Sequence, residues 1–252
     1  MDEPGMMATL QWGTLVLCTV VLLLRVPDAI QGRNRTVFGI LLIATLCSLL
    51  SVAGPYEAID GVLGGWNLTH LILRFLVFAA VLLVGLRMAR GLEDARGYRL
   101  IAGPAGRWAL AASAVAVAAT FFLMDTRGSS AGLLDITDHG GPNAVLAPFY
   151  AAAGRTYPGF VSLALLPALL ATTRSQLPRL VRAAAFLTCV GALATAVSVP
   201  ASFAPETWTL AQQTVNYLAV VGYVLGLGLF WFSGVAAQGS GNARATFRKN
   251  KG

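Results

Sequence analysis

Two arginines, Arg74 and Arg155, stand inside runs that are otherwise apolar. A charge near the centre of a bilayer costs about 2.5–3.5 kcal/mol on insertion scales, so it normally faces a cavity or a partner. Arg74 lies seven residues after Asn67, and Arg155 lies nine after Leu146. At about 1.5 Å rise per residue these are depths of roughly 10 and 13 Å, which places both guanidinium groups at similar height. No Asp or Glu lies within any apolar run to neutralise them. A guanidinium presents a planar fork suited to carboxylate or phosphate. The pair therefore reads as a site for an anionic ligand.

The neighbours add polarity. His70 is four residues before Arg74 and shares its helix face, with Asn67 near the rim. The stretch Gly154-Arg155-Thr156-Tyr157-Pro158-Gly159 predicts a kink, because Pro158 has no N–H to give the carbonyl of Gly154. The last run opens with Gln212, Gln213, Asn216 and Tyr217, and the sixth closes with Ser198, Pro200 and Ser202. In the resulting site Arg74 and Arg155 hold the anion, while His70, Tyr157, Asn216 and Gln213 orient it. A structural reading competes. Either arginine can snorkel to Glu57, Asp60, Asp125, Asp135, Asp138 or Glu206, or bond carbonyls freed near Pro158.

Other chemistries lack their parts. Two histidines exclude a three-His zinc site, and Asp138-His139 supplies too few ligands for a metal. Gly128-Ser129-Ser130-Ala131-Gly132 matches the GxSxG pattern, which has meaning only at a strand-to-helix turn of an α/β sheet. There is no P-loop and no GxGxxG. Proton relays within membranes use chains of Asp, Glu or His, and the apolar runs offer only His70. We therefore expect no enzyme, no cofactor and no bound metal.

The elements that must position these residues follow from composition. Of 252 residues, 56% are apolar and 12% charged, with a mean hydropathy of +0.70. A soluble chain carries about 25% charged residues. A spanning helix needs about 20 apolar residues, and seven runs approach that length: Met7 to Leu24, Val37 to Ala53, Leu68 to Met88, Trp108 to Met124, Leu146 to Thr172, Ala183 to Phe203 and Thr214 to Ala237. The expected fold is an all-α polytopic bundle of seven transmembrane helices. It forms one domain over residues 1–237, followed by a flexible basic cytoplasmic tail, 238–252, where Gly239-Ser240-Gly241 should break the last helix. The first run follows Asp2 and Glu3 without the basic start or cleavage site of a signal peptide, so we expect it to be retained.

Loop charges orient the bundle. One side carries Arg25, Arg33, Arg35, Arg87, Arg90, Arg96, Arg99, Arg107, Arg174, Arg179, Arg182, Arg244, Arg248, Lys249 and Lys251; the other carries only Arg127. This predicts the N-terminus outside and the C-terminus in the cytoplasm of a plasma membrane. It also explains the net charge of +7 without nucleic acid, since anionic lipid attracts the basic side. The longest outer connection, Asp125 to Ala144, is expected to lay a short amphipathic piece over the outer mouth. Cys18, Cys47 and Cys189 lie in apolar runs without metal-like spacing and read as small core residues. Small residues mark close helix contacts: the alanine-rich fourth run, and Gly222 with Gly226, a GxxxG pair suited to packing and, less readily, to a dimer.

Seven helices with this orientation resemble the microbial rhodopsins and receptor-like proteins. A retinal pigment needs a Schiff-base lysine in the last helix, and the only lysines here are Lys249 and Lys251. Arg33-Asn34-Arg35, then Ala58-Ile59-Asp60-Gly61-Val62-Leu63-Gly64-Gly65-Trp66-Asn67-Leu68, and the third run through Arg74 resemble uncharacterised actinobacterial seven-helix membrane proteins labelled putative transporters. The resemblance implies a multi-pass membrane protein. Members of that family carry a cytoplasmic domain after the helices, whereas here residues 238–252 follow. Taken together, we expect recognition of an anionic small molecule or lipid headgroup from the outer side, by a transporter or sensor. The alternative is a non-catalytic assembly subunit that binds another membrane protein. Membrane lipid is a partner in either case.

Overall fold

The computed structural model describes residues 3–32, 35–126 and 142–249. The described chain is helical: α1 (Glu3–Ile30), α2 (Arg35–Leu50), α3 (Ala53–Val62), α4 (Leu68–Gly91), α5 (Ala95–Ala102), α6 (Pro104–Leu123), α7 (Pro142–Thr173), α8 (Arg179–Ala201) and α9 (Thr209–Lys249), with a 3₁₀ turn at Glu206–Trp208. Each of the seven apolar runs lies mostly on a helix. Five helices, α4, α6, α7, α8 and α9, are long and apolar enough to cross a membrane, and a sixth span is present if α2 and α3 count as one broken helix. The apolar described part of α1, Trp12–Pro27, is shorter. The protein is a multi-pass integral membrane protein.

The faces agree with that solvent. Trp108, Val115 and Phe122 on α6, Phe186, Leu193 and Val197 on α8, and Val220 and Val224 on α9 are all exposed. Such continuous apolar surface is costly against water and costs nothing against lipid tails, where instead every backbone donor must be paired within the protein. The buried centre is shared by α4, α5, α6, α7 and α8, around Phe78, Ile101, Val117, Phe121, Tyr157, Leu165 and Leu169. α1 packs on α2, α2 on α4, and α9 on α8.

Two elements depart from the expected loops and runs. The second run does not continue to Ala53. It ends at Leu50, and α3 leaves at 88°. Pro55 explains the break: within a continuous helix its ring would meet the carbonyl of Ser51 and it has no N–H to give. The chain therefore opens at Val52 (φ −89°, ψ 128°) and restarts with Pro55 in the first turn of α3, where a missing donor is tolerated. The other departure is α5, which occupies the basic loop after α4. Asp94 caps it by accepting the Gly97 N–H at 2.9 Å, and Gly103-Pro104 ends it and starts α6 with proline at the first helical position.

Close packing uses glycine where the sequence places it. A methyl on Gly222 would stand 2.6 Å from the Gly191 nitrogen and 2.7 Å from its Cα, and one on Gly226 would stand 2.7 Å from the Thr188 nitrogen. The GxxxG face of α9 is thus spent on α8 within the chain, which leaves a dimer through that face without a surface. The bounds of α9 take in Gly239-Ser240-Gly241, where a break was expected. Glycine weakens a helix by about 1 kcal/mol but, unlike proline, keeps its N–H. The amphipathic piece expected after Asp125, with Arg127, the Gly128–Gly132 stretch, Asp135, Asp138 and His139, lies outside the described residues.

Candidate functional site

The start of α4 is fixed by a buried polar knot. Asn67 precedes the helix in the left-handed region (φ 55°), a conformation that asparagine tolerates better than most residues. The Asp60 carboxylate, fully buried, accepts the backbone N–H groups of Asn67 at 3.0 Å and Thr69 at 3.2 Å. It thereby satisfies donors that a helix start leaves free, at the end where the dipole favours an anion. Tyr56 donates to Asn67 Oδ1 at 2.7 Å. Asn67 Nδ2 donates to the Thr126 carbonyl, and Thr126 Oγ1 to the Trp66 carbonyl, both at 2.9 Å. The Asp60–Asn67 segment is therefore a clasp between α3, α4 and the end of α6. Asp60, considered from sequence as a partner for an arginine, caps the start of α4.

One turn into α4, His70 and Arg74 share a face, as their spacing requires. Both meet Tyr150 on α7. The Tyr150 hydroxyl and His70 Nδ1 share a hydrogen bond of 2.8 Å, and the Arg74 guanidinium carbon stands 5.4 Å from the Tyr150 ring centroid. The Arg74 side chain then crosses Gly154: a methyl there would stand 2.9 Å from Arg74 Nη1 and 3.1 Å from Cζ. Arg74 Nε is buried and has no hydrogen-bond partner among the described residues. Tyr150, Gly154, Tyr157 and Val161 form the stripe of α7 that receives α4, at the spacing of one helix face.

Arg155 follows Gly154 and turns to α8, where Nη1 donates to Ser202 Oγ at 2.6 Å and to the Ser198 carbonyl at 3.4 Å. Arg74 thus meets α7 at the residue before Arg155, close enough for the two cations to repel. Among the described residues neither pairs with a carboxylate.

The remaining expected residues divide. Tyr157 is 0% exposed, with its ring against Phe78 and Phe160 and its hydroxyl without a partner among the described residues. It belongs to the packed centre below the arginines. On α9, Gln213 is exposed and Asn216 is half-buried, and among the described residues no hydrogen bond joins either to the arginines. Their neighbour Gln212 closes the preceding turn by donating to the Ala204 carbonyl at 3.1 Å. Sequence reasoning missed Tyr150. Its signal was its place four residues before Gly154, on the face that must meet Arg74. Among the described residues no group of three or more His, Cys, Asp or Glu gathers. Comparison with family models, curated proteins and solved structures finds no match to this chain.

Proposed function

We propose that the chain is a seven-span plasma-membrane protein, N-terminus outside, that recognises an anionic small molecule or lipid headgroup from its outer side, as a transporter or sensor. The observation that carries this reading is the Arg74–Arg155 pair: Arg74 lies against Gly154, the residue before Arg155, neither guanidinium meets a carboxylate among the described residues, and the Arg74 Nε is buried with no partner among them. An unpaired buried donor on a charged group costs more than the roughly 1–3 kcal/mol of a neutral one. A bound carboxylate or phosphate would remove that cost and offset the repulsion between the cations. Tyr150 and His70 hold Arg74 in place, and Ser202 holds Arg155. The basic loops support the orientation through the charge bias of membrane insertion.

One observation favours a structural role, in an assembly subunit without a ligand. Arg155 already bonds Ser202 and the Ser198 carbonyl, which ties α7 to α8. Arg155→Ala separates the readings. Under ligand recognition the variant inserts and folds but loses binding of phosphate and carboxylate probes. Failure to insert or fold would support the structural role instead. Flux of a bound anion into sealed vesicles then distinguishes a transporter from a sensor.

A further inference from the structure

α9 lies along α8, and α4 packs on α7, so a groove remains between α4 and α9 with α7 and α8 as its floor. Its deep part is a cavity of about 420 Å³ running from Val77 to Met88 on α4 and from Ala219 to Leu227 on α9. The few polar groups on its wall are already paired: Ser162 with Tyr223 at 2.6 Å, and Thr195 with the Gly191 carbonyl at 2.8 Å. The wall therefore offers an occupant only apolar contact. From Val77 to Met88 is eleven residues, roughly 16 Å of helix. One leaflet of a hydrocarbon core about 30 Å thick is about 15 Å deep.

The groove opens into a second cavity of about 590 Å³, sharing Met88 and Leu227 with the first and bounded by Arg87 and Arg90. Arg90 is held by α5: it donates to the Tyr98 hydroxyl at 2.9 Å, with its guanidinium carbon 5.0 Å from the ring centroid. Arg87 is exposed. Neither pairs with a carboxylate among the described residues, and the nearby Asp94 is engaged as the cap of α5.

We infer that this groove is a binding site for an anionic phospholipid, with one acyl chain between α4 and α9 and the phosphate on Arg87 and Arg90. The apolar length matches one leaflet, and the two cations stand only at its loop end, so one amphiphile satisfies both parts. A zwitterionic lipid fills the same groove without the net charge that the arginines select. The site is separate from the Arg74–Arg155 pair and does not depend on it.

Native mass spectrometry of the full chain, delipidated and titrated with phosphatidylglycerol or phosphatidylcholine of identical chains, tests the site. At about 1 kcal/mol per basic residue near the surface, the wild type should prefer phosphatidylglycerol roughly 30-fold. That preference should fall as salt rises. In the Arg74→Gln, Arg155→Gln background, which removes any headgroup site at that pair, the preference should persist, and Arg87→Gln with Arg90→Gln added there should reduce it to a few-fold. Val84→Trp, which fills the groove wall, should lower retention of both lipids. The inference is overturned by a protein that, in the Arg74→Gln, Arg155→Gln background, shows no headgroup preference or salt dependence, by a preference that survives Arg87→Gln with Arg90→Gln in that background, or by unchanged retention in Val84→Trp.

Discussion

Gly154→Ala separates the arginine site from the scaffold that carries it. The new methyl would stand 2.9 Å from Arg74 Nη1, 3.1 Å from Cζ and 3.3 Å from Cδ. All three atoms belong to one flexible side chain, so the guanidinium can retreat by several tenths of an ångström while the backbone stays. The cost to the fold is a mild overpacking of about 1 kcal/mol, which the better helix propensity of alanine, also about 1 kcal/mol, offsets. Stability should therefore change little. Binding should not be spared, because Arg74 leaves the position set by Tyr150. One lost hydrogen bond to a charged group is about 1.5–3 kcal/mol, or roughly 10- to 150-fold weaker anion binding. Gly222→Ala is the matched control. Its methyl meets the nitrogen and Cα of Gly191, backbone atoms that cannot retreat unless α8 and α9 part. It should lose about 1–3 kcal/mol of stability without a direct effect on the anion. Thermal unfolding and phosphate titration of both variants check the pair. If Gly154→Ala destabilised the protein as much as Gly222→Ala and left anion affinity intact, the placement of Arg74 across Gly154 would be refuted.

Other expectations follow from the clasp, the aromatic support and the orientation. Asp60→Asn replaces one accepting oxygen by an amide donor facing backbone N–H groups, and should cost about 1–3 kcal/mol by thermal unfolding; an unchanged midpoint would contradict the cap on α4. Tyr150→Phe keeps the ring beneath Arg74 but removes the hydroxyl bonded to His70. It should lower stability by about 1 kcal/mol and leave anion affinity within a few-fold, whereas Tyr150→Ala should lose both. With the native cysteines replaced, Glu57→Cys should react with an impermeant thiol reagent added outside intact cells, and Arg179→Cys only after permeabilisation; the reverse pattern would invert the topology.

The helices were legible because lipid-facing segments must be apolar all round and about a span long, a signal that needs no partner. The shared face of His70 and Arg74 was legible for a similar reason: a four-residue spacing is a local property of any helix. The same holds for Gly222 and Gly226, although only the packed structure shows that α8 is what they meet. The clasp was not legible. Asp60 caps α4 only because the turn after α3, with Gly64 and Gly65 at positive φ, brings Asn67 back against the carboxylate, and a composition window has no term for that return. Tyr150 was hidden for a related reason, as its role depends on which stripe of α7 faces α4. Tyr157, two residues after Arg155, looked like a ligand-orienting group. A 100° turn per residue instead aims it at Phe78 in the packed centre.

The central claim is that Arg74 and Arg155 form an anion site, and thermal stabilisation tests it most directly. Purified wild type and the Arg74→Gln, Arg155→Gln variant would be unfolded side by side in the presence of water-soluble carboxylates and phosphates. At about 100 times its dissociation constant a ligand that binds only the folded protein stabilises by roughly 2.7 kcal/mol. The account predicts such a shift for at least one anion in the wild type and its loss in the double variant. Equal shifts in the two proteins, or no shift with any anion, would contradict it.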